Sequence, residues 1–143
     1  MIAVVDYGMG NLRSVGKALE EAGCAVSLAR SRKDLAGADA LLLPGVGAFD
    51  HASRNLRRMG LFGSLRDWIL REKPFLGICL GYQLLFESSQ ESSGPGGGQP
   101  GLEMFPGKVV RFPKSLGLRI PHIGWNQVRV REERSRLWAG IPD

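Results

Sequence analysis

A doubly wound α/β fold is predicted, with a mainly parallel open sheet, helices on both faces and an antiparallel flank. Three observations predict it. Short apolar runs at residues 2–5, 25–28, 40–44 and 75–78 read as strands. Segments of helical spacing lie between them, and glycine turns follow the first, third and fourth runs. Alternating strands and helices of this kind build parallel sheets whose turns gather along one edge.

The run "IAVV" ends at Asp6, and "YGMGN" then turns the chain into a helix marked by Leu12, Val15, Leu19 and Ala22. Gly23 closes that helix, because glycine tolerates the left-handed conformation that ends one. Residues 25–28 and "ALLLP" give the second and third strands, and their near-continuous apolar character is that of strands buried on both faces. "GVGAFDHASRNLRRMG" and "LFGSLRDWILREK" supply two more helices, with Leu65, Trp68 and Ile69 on one buried face. The fourth run, residues 75–78, reads as a buried strand entering a further helix near Gly81. Residues 88–101, "SSQESSGPGGGQPG", are too poor in apolar side chains to order themselves and read as an exposed flexible loop. Beyond it "GKVVRF" and "NQVRVR" alternate apolar and charged residues, with Val128 and Val130 opposite Arg129 and Arg131, as half-exposed flanking strands do.

A chain of 143 residues with 43% hydrophobic and 23% charged residues is of a size and balance for one domain, residues 1–143. Its net charge of +5 is scattered over helix faces and loops, a pattern that fits a partner-docking surface better than a nucleic-acid stripe. No apolar stretch reaches the ~20 residues that cross a bilayer, and the N-terminus lacks a signal peptide's charged start, so a cytoplasmic location is expected. Cys24 and Cys79 have no C-x-x-C or histidine spacing. Neither a disulfide framework nor a metal or cofactor site is expected from them.

Three glycine motifs compete for the chemistry. "YGMGN" has the setting of a phosphate-binding turn, yet the third glycine of G-x-G-x-x-G would fall at Arg13, so it reads better as a loop shaping a pocket at the carboxyl edge. "LLLPGVGAF" ends a strand at Pro44 and sets Gly45 and Gly47 about Val46, leaving backbone amides that can face an oxyanion or simply form a strand-to-helix turn. "GICLG" puts Cys79 between a strand and a helix with glycine on both sides, which is the G-x-S-x-G nucleophile elbow with sulfur for oxygen. A helix N-terminus there favours the thiolate. A lone cysteine in an apolar run is usually inert, but the two glycines and the second glycine turn argue for a nucleophile. Cys24, with no elbow, reads as a core thiol.

At these residues the chain resembles class I, triad-type glutamine amidotransferases. "FLGICLGYQLLFE" looks like their nucleophile segment, and "DYGMGN", "LPGVGAF" and "PHIGWN" point to the branch that supplies ammonia to a (β/α)-barrel cyclase in histidine biosynthesis. The resemblance runs in order along essentially the whole chain. It implies that Cys79 attacks the carboxamide of glutamine, and that the amides of Leu80 and of Val46 or Gly47 hold the oxyanion. Gly45 and Gln83 would lie beside the substrate, Gln83 being equally readable as an exposed helix residue. Asn11, His122 and Trp125 would face the barrel partner, with a buried core tryptophan as the alternative for Trp125.

One departure stands out. The family draws its general base and the carboxylate that orients it from a later His-Pro-Glu segment, and the chain ends at "LWAGIPD" without one. Its histidines, His51 and His122, fall in other motifs. The expectation is a chain truncated before the C-terminal part of the fold. An inactive docking fragment and a different elbow-cysteine hydrolase are the alternatives.

Overall fold

A computed structural model of the chain describes residues 1–91, 98–117, 119, 123–127, 129 and 139. Its contacts divide into two units, Met1–Arg111 and Phe112–Asp143.

The first unit is a four-stranded parallel sheet of order β2-β1-β3-β4, made of β1 (Ile2–Val5), β2 (Val26–Ala29), β3 (Ala40–Leu43) and β4 (Phe75–Gly77). From the central pair, β1 steps outward to β2 while β3 steps the other way to β4. Right-handed crossovers in opposite directions place their helices on opposite faces, which makes the fold doubly wound. The point where the order reverses lies between β1 and β3, and ligands of such sheets bind outside the strand ends there.

α1 (Leu12–Glu21) begins where the Asn11 side chain accepts the Ser14 amide at 3.2 Å, and Gly23, at φ 78°, closes it. α2 (Phe49–Arg58) carries Asp50 in its first turn and Arg57 and Arg58 in its last, charges that suit the helix dipole. Gly60, left-handed at φ 68°, then turns the chain into α3 (Leu61–Leu70).

Register sorts the core. Ala3 pairs Leu41 and Leu41 pairs Phe75, so these share one face, and Val4, Leu42 and Leu76 share the other. The first face is sealed by Phe49, Ala52, Leu56, Leu61, Leu65 and Trp68 of α2 and α3, all buried. The Arg57 guanidinium stacks 3.6 Å from the Phe62 ring centre and Trp68 donates to the Pro74 carbonyl at 3.0 Å, tying the helix pair to its surroundings. The second face is less complete. Leu28, Leu76 and Ile78 are 45%, 42% and 41% exposed. The second and fourth strands are therefore half-buried, against the expectation of burial on both faces, and α1, the helix between β1 and β2, itself has no buried residue.

Further corrections concern the segment after Cys79. α4 spans only Leu80–Gln83, and β5 (Phe86–Ser89) follows directly. The helix stops because tertiary partners take its next carbonyls: the Leu102 amide bonds Leu84 at 2.6 Å and the Met104 amide bonds Leu85 at 2.8 Å. β5 pairs in parallel with β6 (Phe105–Val109), which overlaps the start of "GKVVRF", a partner strand that the sequence reading did not foresee. The intervening residues 90–104 are long enough for the crossover a parallel pair needs. Within the stretch read as a flexible loop, Ser88 and Ser89 belong to β5, the Gly101 amide bonds the Glu87 carbonyl of β5 at 2.9 Å, and residues 99 and 100 are held by α2. Ser53 Oγ donates to the Pro100 carbonyl at 2.6 Å, and the Gln99 amide donates to Asp50 at 2.9 Å. Much of "NQVRVR" lies outside the described residues.

In the second unit a short 3-10 turn, Lys114–Leu116, ends at left-handed Gly117. Ile123 and Trp125 are exposed.

Candidate active site

The three glycine motifs meet. β1, β3 and β4 are adjacent or nearly so and run the same way, so the turns leaving them share the carboxyl edge of the sheet. Cys79 occupies the elbow after β4 with φ 55° and ψ −115°. A side chain held in so sparsely populated a region is strained by about 1–3 kcal/mol and persists only where the surroundings enforce it. Here the enforcement is visible. The Ile78 amide bonds the Leu43 carbonyl at 3.0 Å, continuing the sheet to the residue before Cys79, while the Cys79 carbonyl accepts the Gln83 amide at 3.0 Å. Strand and helix thus hold the cysteine from both sides. Its thiol is exposed, whereas Cys24 is half-buried with no comparable strain.

The flanking glycines make room. A Cβ on Gly81 would strike the Leu43 carbonyl, and one on Gly77 would lie 2.8 Å from the backbone of Gly81 and Tyr82. The elbow is as sharp as the motif predicts, because strand and helix backbones touch where side chains would stand.

The turn after β3 packs directly on this elbow. Pro44 and Gly45 are buried, and a Cβ on Gly45 would lie 2.8 Å from Leu80 Cβ and 3.0 Å from the Gly81 amide nitrogen. Val46 and Gly47 project outward, Val46 being 56% exposed and Gly47 adopting φ 102°. Among the described residues, the amides of Val46, Gly47 and Leu80 donate to no backbone carbonyl. Three donors on the two packed turns thus have no main-chain partner among the described residues. The turn after β1 presses in from the other side, with Gly10 against the Pro44 ring and Met9 against Gly47.

The remaining sequence-predicted residues are more dispersed. Gln83 is half-buried at the end of α4. Asn11 is exposed, and its side chain caps α1. His51 is exposed on α2. Trp125, in the second unit, is exposed. His122 lies outside the described residues. A cavity lined by Arg32, Leu35, Trp68, Arg71 and Lys73 contains none of the turn residues and is remote from this chemistry.

Sequence reasoning missed two residues of the first turn. Asp6 accepts Arg30 Nε at 2.6 Å and the Gly8 amide at 3.3 Å, joining the ends of β1 and β2 and shaping the turn. Tyr7 is completely buried, and its hydroxyl donates to the Pro44 carbonyl at 2.9 Å. The available signal was an aromatic and an acidic residue between a buried strand and a glycine turn.

The family described as glutamine amidotransferase class-I matches residues 3–143. The chain belongs to this family. As a class-I glutamine amidotransferase it is 51% identical over 142 residues to the imidazole glycerol phosphate synthase subunit HisH of Synechococcus sp., and 53% identical over 142 residues to that of Nostoc punctiforme. Each match covers 99% of this chain, and the chain spans 63% and 65% of the two relatives' lengths. A crystal structure described as glutamine amidotransferase superposes with a TM-score of 0.60 at 24% identity, covering 72% of this chain and 52% of that one, which supports the fold.

Proposed function

We propose that the chain acts as a cytoplasmic, HisH-type glutaminase subunit that supplies ammonia to a HisF-type (β/α)-barrel cyclase for imidazole glycerol phosphate synthesis. The observation that carries the reading is Cys79, strained at φ 55° beside the Gly45 turn, in a chain about half identical to HisH proteins.

In this reading the Cys79 thiolate attacks the side-chain carbonyl carbon of glutamine, and the carbonyl oxygen takes the charge. The amides of Leu80 and Val46 or Gly47 hold that oxyanion, each donor contributing about 2.7–4 kcal/mol in the transition state. Collapse breaks the C–N bond, ammonia leaves with an added proton, and water hydrolyses the γ-glutamyl thioester to glutamate. Gly45 and Gln83 border the substrate. Asn11, His122 and Trp125 face the cyclase, whose internal tunnel receives the ammonia.

The general base and its carboxylate are assigned to a His-Pro-Glu segment that these 143 residues do not contain. Such a base accelerates proton transfer by ~10²-fold to 10⁴-fold. Ammonia release from glutamine, measured with the cyclase subunit added, tests the reading on this chain and on one extended to carry that segment. The extended chain is expected to release ammonia, and Cys79→Ser to abolish it. Stoichiometric docking without turnover by either chain would identify a binding subunit, and release that survives Cys79→Ser would overturn the reading.

A further inference from the structure

The phenol of Tyr7, completely buried, touches the turn after β3. Its hydroxyl donates to the Pro44 carbonyl at 2.9 Å, and its main-chain carbonyl separately accepts Asn55 Nδ2 of α2 at 3.2 Å. The same hydroxyl stands 2.6 Å from where a Cβ on Gly45 would begin. Pro44 C=O and Gly45 N–H belong to one planar trans peptide and point in opposite directions. Fixing the carbonyl toward Tyr7 therefore fixes the Gly45 amide away from it. Leu80 Cβ and the Gly81 nitrogen crowd that same Gly45 Cβ position at 2.8 and 3.0 Å, and this close packing limits the rotation that sets the Val46 amide.

We infer that Tyr7 is a positioning residue for the oxyanion turn: its hydroxyl holds the Pro44–Gly45 peptide plane and thereby the direction in which the following amides face Cys79. The inference rests on the glutaminase reading of that site. Burial first, and the neighbouring Cys79 second, push the pKa of the phenol well above the usual tyrosine range, so the hydroxyl remains a proton donor throughout neutral pH.

Two alkylating reagents separate positioning from general stability. A chloroketone analogue of glutamine must first form an oxyanion at Cys79 before the sulfur displaces chloride, whereas iodoacetamide alkylates the thiolate by direct displacement of iodide. In Tyr7→Phe the chloroketone rate is expected to fall at least about tenfold relative to the iodoacetamide rate, since complete loss of one oxyanion donor is worth ~10² to 10³. Asn55→Ala removes the bond at the other end of Tyr7 and should leave the ratio unchanged. An unchanged ratio in Tyr7→Phe, or an equal fall in Asn55→Ala, would overturn the inference. Should Tyr7→Phe not fold, 3-fluorotyrosine at position 7, a stronger donor of the same shape, is expected to raise the ratio, and no change would count against it. If the unsubstituted protein shows no chloroketone labelling that glutamine blocks, the glutaminase reading falls first and this inference with it.

Discussion

Leaving β1, the chain turns through Gly8 and Gly10, both at positive φ of 82° and 118°. Leaving β4, it turns through Cys79, and there the positive φ falls on the cysteine while the adjoining Gly77 and Gly81 lie outside that region. The first turn uses glycine for conformational freedom; the second uses it for space, because strand and helix backbones meet where a Cβ would stand. A turn built only for connection would put the strain on glycine, where it costs nothing. Placing it on a reactive side chain instead points the sulfur out of the fold, against the preference of the backbone.

The difference can be broken most forcefully at Gly81. Gly81→Ala drives a methyl into the Leu43 carbonyl and should destabilise the fold by about 3 kcal/mol or prevent folding, while Gly8→Ala, whose Cβ meets Asn55 Nδ2 at an ordinary 3.7 Å, should cost only about 1–2 kcal/mol for its left-handed backbone. Urea midpoints would compare the two, and equal costs would mean that the glycines do the same work. A smaller effect is expected at Cys79. Cys79→Gly should be more stable than Cys79→Ala by about 1 kcal/mol, because glycine relieves the strain that alanine keeps. Equal melting of the pair would show that the elbow is unstrained.

Tyr7 sharpens the comparison through pH. Its folded-state pKa is raised, so its contribution to stability is complete below the unfolded tyrosine value of ~10 and is lost as pH rises above it toward the folded value. The alkaline limb of the stability curve is therefore expected to flatten in Tyr7→Phe, and an identical limb in both proteins would remove the buried phenol as its cause. The smallest effect belongs to Ser27, whose hydroxyl is buried with no hydrogen-bond partner among the described residues. Ser27→Ala should stabilise by up to about 1 kcal/mol, since an unsatisfied buried donor is costly, and a loss of stability would reveal a partner for it.

How much of this was legible in the residues follows from the range of the interactions. β1, β3 and β4 fall within a residue of the apolar runs that predict them, because strands of a parallel sheet are local and nearly all apolar. The elbow was legible for a related reason, since its glycines and cysteine lie within five positions. What failed depended on distant partners. Nothing in "GYQLLFE" announces that residues 102 and 104 will claim the carbonyls of Leu84 and Leu85, so the helix reads longer than its four residues. The parallel pairing of β5 with β6 and the bond from Tyr7 to Pro44, 37 positions apart, are likewise decided by packing across the chain. The exposure of Leu76 and Ile78 was hidden because an apolar run looks the same whether or not a helix covers it.

The central claim is that the converging turns make Cys79 a nucleophile selective for the glutamine side chain. The direct measurement is peptide mapping by mass spectrometry after treatment with the chloroketone analogue, with and without excess glutamine. Cys79 and Cys24 are the only cysteines in the chain, and the account predicts an adduct on Cys79 alone that glutamine suppresses. Equal labelling of Cys24, or labelling of Cys79 that glutamine leaves untouched, would contradict it.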